Sequence, residues 1–241
     1  MAGVNAFDAG VVAFLNHFAR RSYALDGLAR LVEGYMFRVT GILAALWWAW
    51  FRQRGERSTT REVLASGMIA CLFSLVLSRT LSFIMPFRER PLREPTLHFQ
   101  LPYGENAHTL IGWSSFPSDH AAVYFTLAAC LWFVSRPAGA VAVAWAVLVT
   151  TLPRIYLGLH YPTDIITGIL LGAGVAWLAR LERVRRALSS APMRWEARHP
   201  GAFYAGMFLY TFQLATAFDP ISDVFHYLSG VAMQAVHLLR H

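Results

Sequence analysis

The stretch VLASGMIACLFSLVLSRTLSFIM, residues 63–85, decides how the whole chain is read, and its only charge is Arg79. A helix needs about 20 mostly apolar residues to cross a bilayer, because hydrocarbon offers no partner to an unpaired backbone N–H or C=O. Working outward, Leu31–Phe51 precedes this run, and Ala121–Ser135, Ala138–Leu152 and Ile165–Ala179 follow it, with an aromatic-rich sixth run at Gly201–Phe218. The third and fourth runs are short as counted and are expected to extend into their flanking loops. Asp223–Leu239, diluted by His226, Gln234 and His237, reads either as a further span or as an interfacial helix. The expectation is an all-α, polytopic membrane helical bundle of about six transmembrane helices.

Composition agrees. The 241 residues are 56% hydrophobic and 15% charged, with a mean hydropathy of +0.42, whereas soluble domains hold about 25% charged residues to keep their surfaces wet. Disorder, collagen and a disulfide scaffold are excluded. Cys71 and Cys130 lie inside apolar runs and read as small buried hydrophobes. The net charge of +7 comes from a chain whose 21 basic residues are all arginine. These cluster between apolar runs, as membrane topology requires, and no basic domain stands apart for nucleic acid. In residues 1–30, Phe7, Val11, Phe14, Leu15 and Phe18 recur at helical spacing among polar neighbours, the pattern of an amphipathic interfacial helix. No charged start and cleavage site mark a signal peptide.

Arginine counts set the orientation. Arg52, Arg54, Arg57 and Arg61 follow the first run, and Arg180, Arg183, Arg185, Arg186, Arg194 and Arg198 follow the fifth. The positive-inside rule places both connections, and the turn at Arg136, on the cytoplasmic side. The connections Pro86–Asp119 and Pro153–Asp164 then share the outer face, where Arg20 and Arg21 also fall.

Ionisable residues at a membrane edge are functional candidates, and these two outer connections hold most of them. His160 and Asp164 are four apart; on a helix both would lie on one face, within hydrogen-bonding reach. A carboxylate on one ring nitrogen fixes the tautomer and leaves the other nitrogen to attack. Arg154 lies off that face in a continuous helix, but Gly158 and Pro162 permit a bend that brings it back. His120 follows Ser118-Asp119 at a helix start, where unpaired N–H groups favour an anion and the Ser118 hydroxyl adds a donor. Arg90 and Arg154 offer planar forks suited to phosphate oxygens.

The set Arg90-Pro91, Pro117-Ser118-Asp119-His120 and Arg154-x5-His160-x3-Asp164 resembles the type 2 phosphatidic acid phosphatase (PAP2) superfamily of integral membrane lipid phosphatases. The resemblance covers roughly residues 5–180. It divides the chain into an interfacial segment 1–30, a catalytic membrane domain 31–185, and residues 186–241 with the sixth span and an apolar tail. It implies that His160 is the nucleophile, forming a phosphohistidine, that Asp164 orients it, and that His120 protonates the leaving oxygen. Arg90, Arg154, Ser118 and Asp119 would stand at the phosphate. Three positions depart from the family pattern. The family lysine falls on Phe83, for which Arg79, one turn earlier, and Arg88 are the candidate replacements. The glycine of the second motif is Asp119, whose carboxylate is placed to orient His120, and the serine before Arg154 is Pro153.

The implied reaction needs no cofactor or metal. The substrate expected is a lipid phosphate or diphosphate, best undecaprenyl diphosphate, dephosphorylated at the outer face. Phosphatidylglycerol phosphate and lipid A phosphates are alternatives, as is a phosphotransferase with a lipid or sugar acceptor. A metal site built from His120, His160, Asp164 and Asp119, and a non-enzymatic anionic-lipid transporter or scaffold, are the rival classes. Phe83, Phe87, Trp113, Phe116, Tyr156 and Tyr161 read as belt residues or as walls of a lipid slot. The segment Leu92–Trp113 reads as a surface loop in preference to a cap. Membrane lipids are expected around the protein, and no nucleic acid or obligate protein partner. The arginine usage points to a GC-rich bacterium and its inner membrane.

Overall fold

The apolar runs become helices within residues 4–52 and 57–215, the parts of the chain that the computed structural model describes, and no strand occurs among them. Arg54, the end of the sixth run and the apolar tail 223–239 lie outside those residues. Three stretches are long and apolar enough to cross a membrane. They are Thr59–Ile84 within α5 (Arg57–Ile84), the stretch Arg136–Tyr156, and α9 (Pro162–Arg180). The second comprises α7 (Arg136–Trp145), a wide π turn (Ala146–Thr151) and α8 (Leu152–Tyr156). The fourth run thus lengthens as expected. The third does not: α6 (Asp119–Val134) stays at 16 residues, because Ser135 ends it in extended conformation and Arg136-Pro137 already opens the next helix.

The first run is not one helix, contrary to expectation. Gly34 adopts an extended ψ of 143° and Val39 interrupts again, dividing the region into α2 (Tyr23–Glu33), α3 (Tyr35–Arg38) and α4 (Thr40–Arg52). Glycine holds a helix weakly, and the break lets Glu33 and Arg38 turn into the protein. The segment 1–30 divides too. In α1 (Ala6–Asn16), the Asn5 side chain caps the helix by accepting from Asp8 N–H at 2.8 Å, and Ser22 caps α2 in the same manner. Phe7, Phe14 and Phe18 are exposed, while Val11 and Leu15 pack on the core.

α6 is the central element, packed between α5, α7 and α9 and buried through most of its length. Its contact with α9 is close because Gly168 and Gly172, four apart, face it: a Cβ at Gly172 would stand 2.3 Å from the Ala122 carbonyl oxygen, and one at Gly168 2.5 Å from that of Ser118. Small residues at this spacing let two helices approach backbone to backbone. Thr126 joins the layers, its hydroxyl 2.7 Å from Ser74 Oγ on α5 and 3.2 Å from the Gly172 carbonyl. Outward-facing Phe73, Val76, Leu148, Leu170 and Phe212 are exposed, the inverse of a soluble surface and what hydrocarbon demands. At the opposite end of α5 from Arg79, α10 (Glu182–Arg198) docks through Arg61–Glu196 and Arg185–Glu62, the latter at 3.4 Å, before α11 (Pro200–Ala215).

Candidate active site

Tight α6–α9 packing brings the N-termini of these two helices together, and a cavity of about 1120 Å³ opens there. Its wall includes His120, His160, Asp119, Arg79, Arg90 and Arg154. The three arginines come from α5, the outer loop and α8, so the motifs converge from separate elements.

His160 sits between helices instead of on one. After α8 the chain turns at Gly158, whose φ of +73° suits glycine, and a Cβ there would press on Phe99 and Leu92. The turn folds back so that Leu159 N–H donates to the Arg154 carbonyl at 2.9 Å, which is how Arg154 and His160 meet. The expected direct bond between His160 and Asp164 is therefore replaced. Nδ1–H of His160 donates to the Ser115 carbonyl at 2.8 Å, and Asp164 Oδ2 lies 3.8 Å from that nitrogen. As the third residue of α9, Asp164 caps the helix by accepting from Tyr161 N–H at 2.8 Å, and it also accepts from the Ser115 hydroxyl. It orients His160 through the Ser115 residue that carries the carbonyl. Either way Nδ1 is the protonated nitrogen and Nε2 is left for the cavity.

Behind Asp164 stands Arg88. It donates to Asp164, to Thr163 Oγ1 and to Asp8 at 2.6 Å, and it lies over the Tyr161 ring at 3.9 Å. Burial works against its charge, but Asp164 and Asp8 outweigh it and hold its pKa above the ordinary arginine value. The sequence suggests Arg88 for the phosphate; it is instead a brace beneath His160, because two carboxylates claim it. Asp8, fully buried, also accepts from Thr163 N–H at 3.0 Å, so α1 belongs to the site's support.

His120 opens α6. Its Nδ1 donates to Asp119 Oδ1 at 2.7 Å, and its Nε2 accepts from Arg38 Nη1 at 2.7 Å. Asp119 also faces Arg79 at 3.6 Å. Its carboxylate thus holds the ring of His120, the role its motif position suggests, instead of standing ready for phosphate. Ser118 is fully buried, and its hydroxyl caps α6 by accepting from Ala121 N–H at 3.4 Å. A serine at an N-cap satisfies the helix first.

Arg90 donates to the carbonyls of Leu159, Ser114 (3.2 Å) and Trp113 (3.3 Å), tying both outer connections together. Burial, with Arg154 adding to it, lowers its pKa to about 10, which leaves it cationic at neutral pH. His160 is pushed below the ordinary histidine value by burial, with Arg90 and Arg154 adding to the effect against Asp164. It is a neutral ring at neutral pH.

Arg38, Glu33, Ser115 and Asp8 are the site residues that sequence reasoning misses. Arg38 carries a signal, an arginine inside an apolar run; Ser115 and Asp8 act through fold contacts that no local pattern displays. Glu105, Thr109 and Leu110 line the cavity, so the segment Leu92–Trp113 walls the site and is not merely a surface loop. Among the aromatic candidates, Phe83, Phe87 and Trp113 line the mouth. Tyr156 is instead engaged inward by Asp26, and Tyr161 by Arg88. Among the described residues, no three histidine, cysteine or acidic side chains gather as metal ligands.

Residues 71–186 match the PAP2 superfamily. The chain is 29% identical over 176 residues to the Escherichia coli K12 protein named "Putative undecaprenyl-diphosphatase YbjG", covering 68% of this chain and 79% of that one. It is 26% identical over 168 residues to the undecaprenyl-diphosphatase BcrC of Bacillus subtilis 168, covering 70% and 71%. It is 30% identical over 193 residues to the lipid A 4'-phosphatase of Porphyromonas gingivalis, covering 76% and 75%. No solved structure matches. The likeness to the Porphyromonas protein extends over about three quarters of both chains, and the family match runs through every motif that meets at the cavity, so the chain belongs to the PAP2 superfamily.

Proposed function

We propose that the protein hydrolyses a lipid diphosphate, undecaprenyl diphosphate first among the candidates, at the outer face of a bacterial inner membrane through a phosphohistidine. The observation that carries this reading is the pairing of two histidines on one cavity, each with Nδ1 held from behind, the Nε2 of His160 left to the cavity and that of His120 met there by Arg38. His160 Nε2 attacks phosphorus, and the bond to the leaving oxygen breaks. That oxygen takes a proton from His120, whose Nε2 first gains one from solvent while its Nδ1–H stays on Asp119. Water then attacks the phosphohistidine, gives its proton to His120, and the P–N bond breaks. Arg90, Arg154 and Arg79 hold the oxygens while charge spreads, and positioning with electrostatics carries most of phosphoryl transfer.

An apolar mouth of Phe83, Met85, Phe87, Leu110 and Trp113 suits a lipid arriving from the membrane. The names of the first two relatives favour a polyprenyl diphosphate, and that of the third keeps lipid A in view. Six spans with both motif connections outside remain our topology, resting on arginine placement.

The test is phosphate release in detergent with EDTA present, from undecaprenyl diphosphate, phosphatidylglycerol phosphate and phosphatidic acid, with His160→Ala alongside. Release by the wild type alone supports a metal-independent histidine phosphatase, and the ranking names the substrate. Much slower release from the diphosphate than from the other two overturns that choice. Silence on all three points to a lipid A phosphate as substrate or to a transferase lacking its acceptor.

A further inference from the structure

Arg38 reaches the cavity from the first apolar run, far in sequence from every motif, and is only 8% exposed. A guanidinium inside a membrane protein is held at a cost unless partners meet it. Its Nη1 donates to His120 Nε2 at 2.7 Å and stands 3.6 Å from Glu33. Glu33 already accepts from Arg154 at 2.9 Å, and the buried Nε of Arg38 has no hydrogen-bond partner among the described residues. Arg88 and Arg90, by contrast, are matched by carboxylates and carbonyls.

The backbone beneath Arg38 is fastened at two points. The Thr150 hydroxyl donates to the Arg38 carbonyl at 3.2 Å, and the Trp145 indole donates to the Phe37 carbonyl at 3.1 Å. Both donors lie at the π turn Ala146–Thr151, and such turns recur at functional sites because they re-aim what packs on them.

Charge points the same way. Arg38, Arg79, Arg90 and Arg154 share the cavity with Glu33 and Asp119 beside the histidines, while Glu105 at the wall faces Arg30 at 3.9 Å. Four guanidiniums against two carboxylates leave room for a dianion. The contact with His120 is also incompatible with the reaction, since Nε2 cannot accept from Arg38 and hand a proton to a leaving oxygen at once.

We infer that Arg38 is a phosphate-binding residue of this site, and that its guanidinium leaves His120 Nε2 as it takes up phosphate oxygens, which frees that nitrogen to take a proton from solvent and pass it to the leaving oxygen only with substrate in place. The inference rests on the phosphatase reading above. It supplies the cation that the motif position Phe83, 79% exposed and apolar, does not.

The experiment compares wild type with Arg38→Ala, Arg38→Gln and Arg38→Lys, using inorganic phosphate as the probe. We expect Arg38→Ala and Arg38→Gln to weaken phosphate inhibition about tenfold or more and to lower kcat/KM by more than that, as losing a charge-assisted contact should. Arg38→Lys, which keeps the charge without the fork, should recover part of both. A purely structural role would lower melting temperature without moving phosphate affinity. Phosphate inhibiting a folded Arg38→Gln protein as strongly as wild type overturns the inference. If Arg38→Ala does not fold, the Gln and Lys variants decide. If the wild type releases no phosphate from any lipid, the function reading fails, and thermal protection by phosphate in wild type against Arg38→Gln still decides the role of Arg38.

Discussion

The two histidines meet one cavity from opposite kinds of surroundings. Behind His160, a chain of contacts runs from the Ser115 carbonyl through Asp164 and Arg88 to Asp8 on α1, and most of its hydrogen-bonding groups are matched. Around His120, one carboxylate holds the ring and one guanidinium rests on the other nitrogen. The buried Nε atoms of Arg38 and Arg154 nearby lack hydrogen-bond partners among the described residues. The difference fits what each ring would do under the proposed mechanism. A nucleophile gains from being fixed in one tautomer and one direction, since misplacement costs rate directly. A proton donor must change state twice per turnover, so its surroundings have to answer to the substrate's charge.

The sharpest way to break this comparison is at the nucleophile. His160→Ala should lower phosphate release at least about 10⁴-fold with the melting temperature in detergent retained; normal turnover by the purified variant would remove the assignment. His120→Ala should cost about 10²–10⁴-fold, the usual worth of a general acid. Its penalty should be smaller on a lipid diphosphate than on a lipid monophosphate, because a phosphate leaving group needs protonation less than an alkoxide does. Equal penalties on the two substrates would argue that His120 does not protonate the leaving oxygen.

The brace predicts a gentler loss. Asp8→Ala strips Arg88 of one of its two carboxylates in a buried setting, which should destabilise the protein by about 2–3 kcal/mol and lower kcat about tenfold with KM little changed. A KM effect instead would place Asp8 with substrate binding. The smallest effect concerns pH. Burial lowers the pKa of His160, so as pH falls it stays neutral below the ordinary histidine value of about 6.5. The acid limb of kcat/KM should therefore lie below that value in wild type. Finding it above about 6.5 would mean that the nucleophile is not the buried, neutral ring described.

Much of the site is legible in the sequence because phosphoryl transfer needs particular side chains at particular spacings. His120, His160, Asp164, Arg90 and Arg154 can be named from motifs, and the bend at Gly158 from glycine alone. Sequence does not show the contacts of Arg88 and Ser118, because proximity along the chain does not reveal that Asp8 and the α6 N-terminus engage them. The first apolar run reads as one helix because hydropathy averages over Gly34 and Val39, where the backbone turns.

What the amino-acid order determined by itself was the solvent and the chemistry. Runs such as 63–85 are too apolar for water, and the motifs around Arg90, His120 and His160 carry the family resemblance. What only the tertiary structure decided was which groups are turned to the cavity and which serve each other. That choice depends on distances between elements far apart in the chain, as between Arg38 and His120 or Asp8 and Arg88. Those distances are set by contacts between elements, Arg38 held through Thr150 and Trp145 and Asp8 through Thr163, and such packing is a property of two surfaces together.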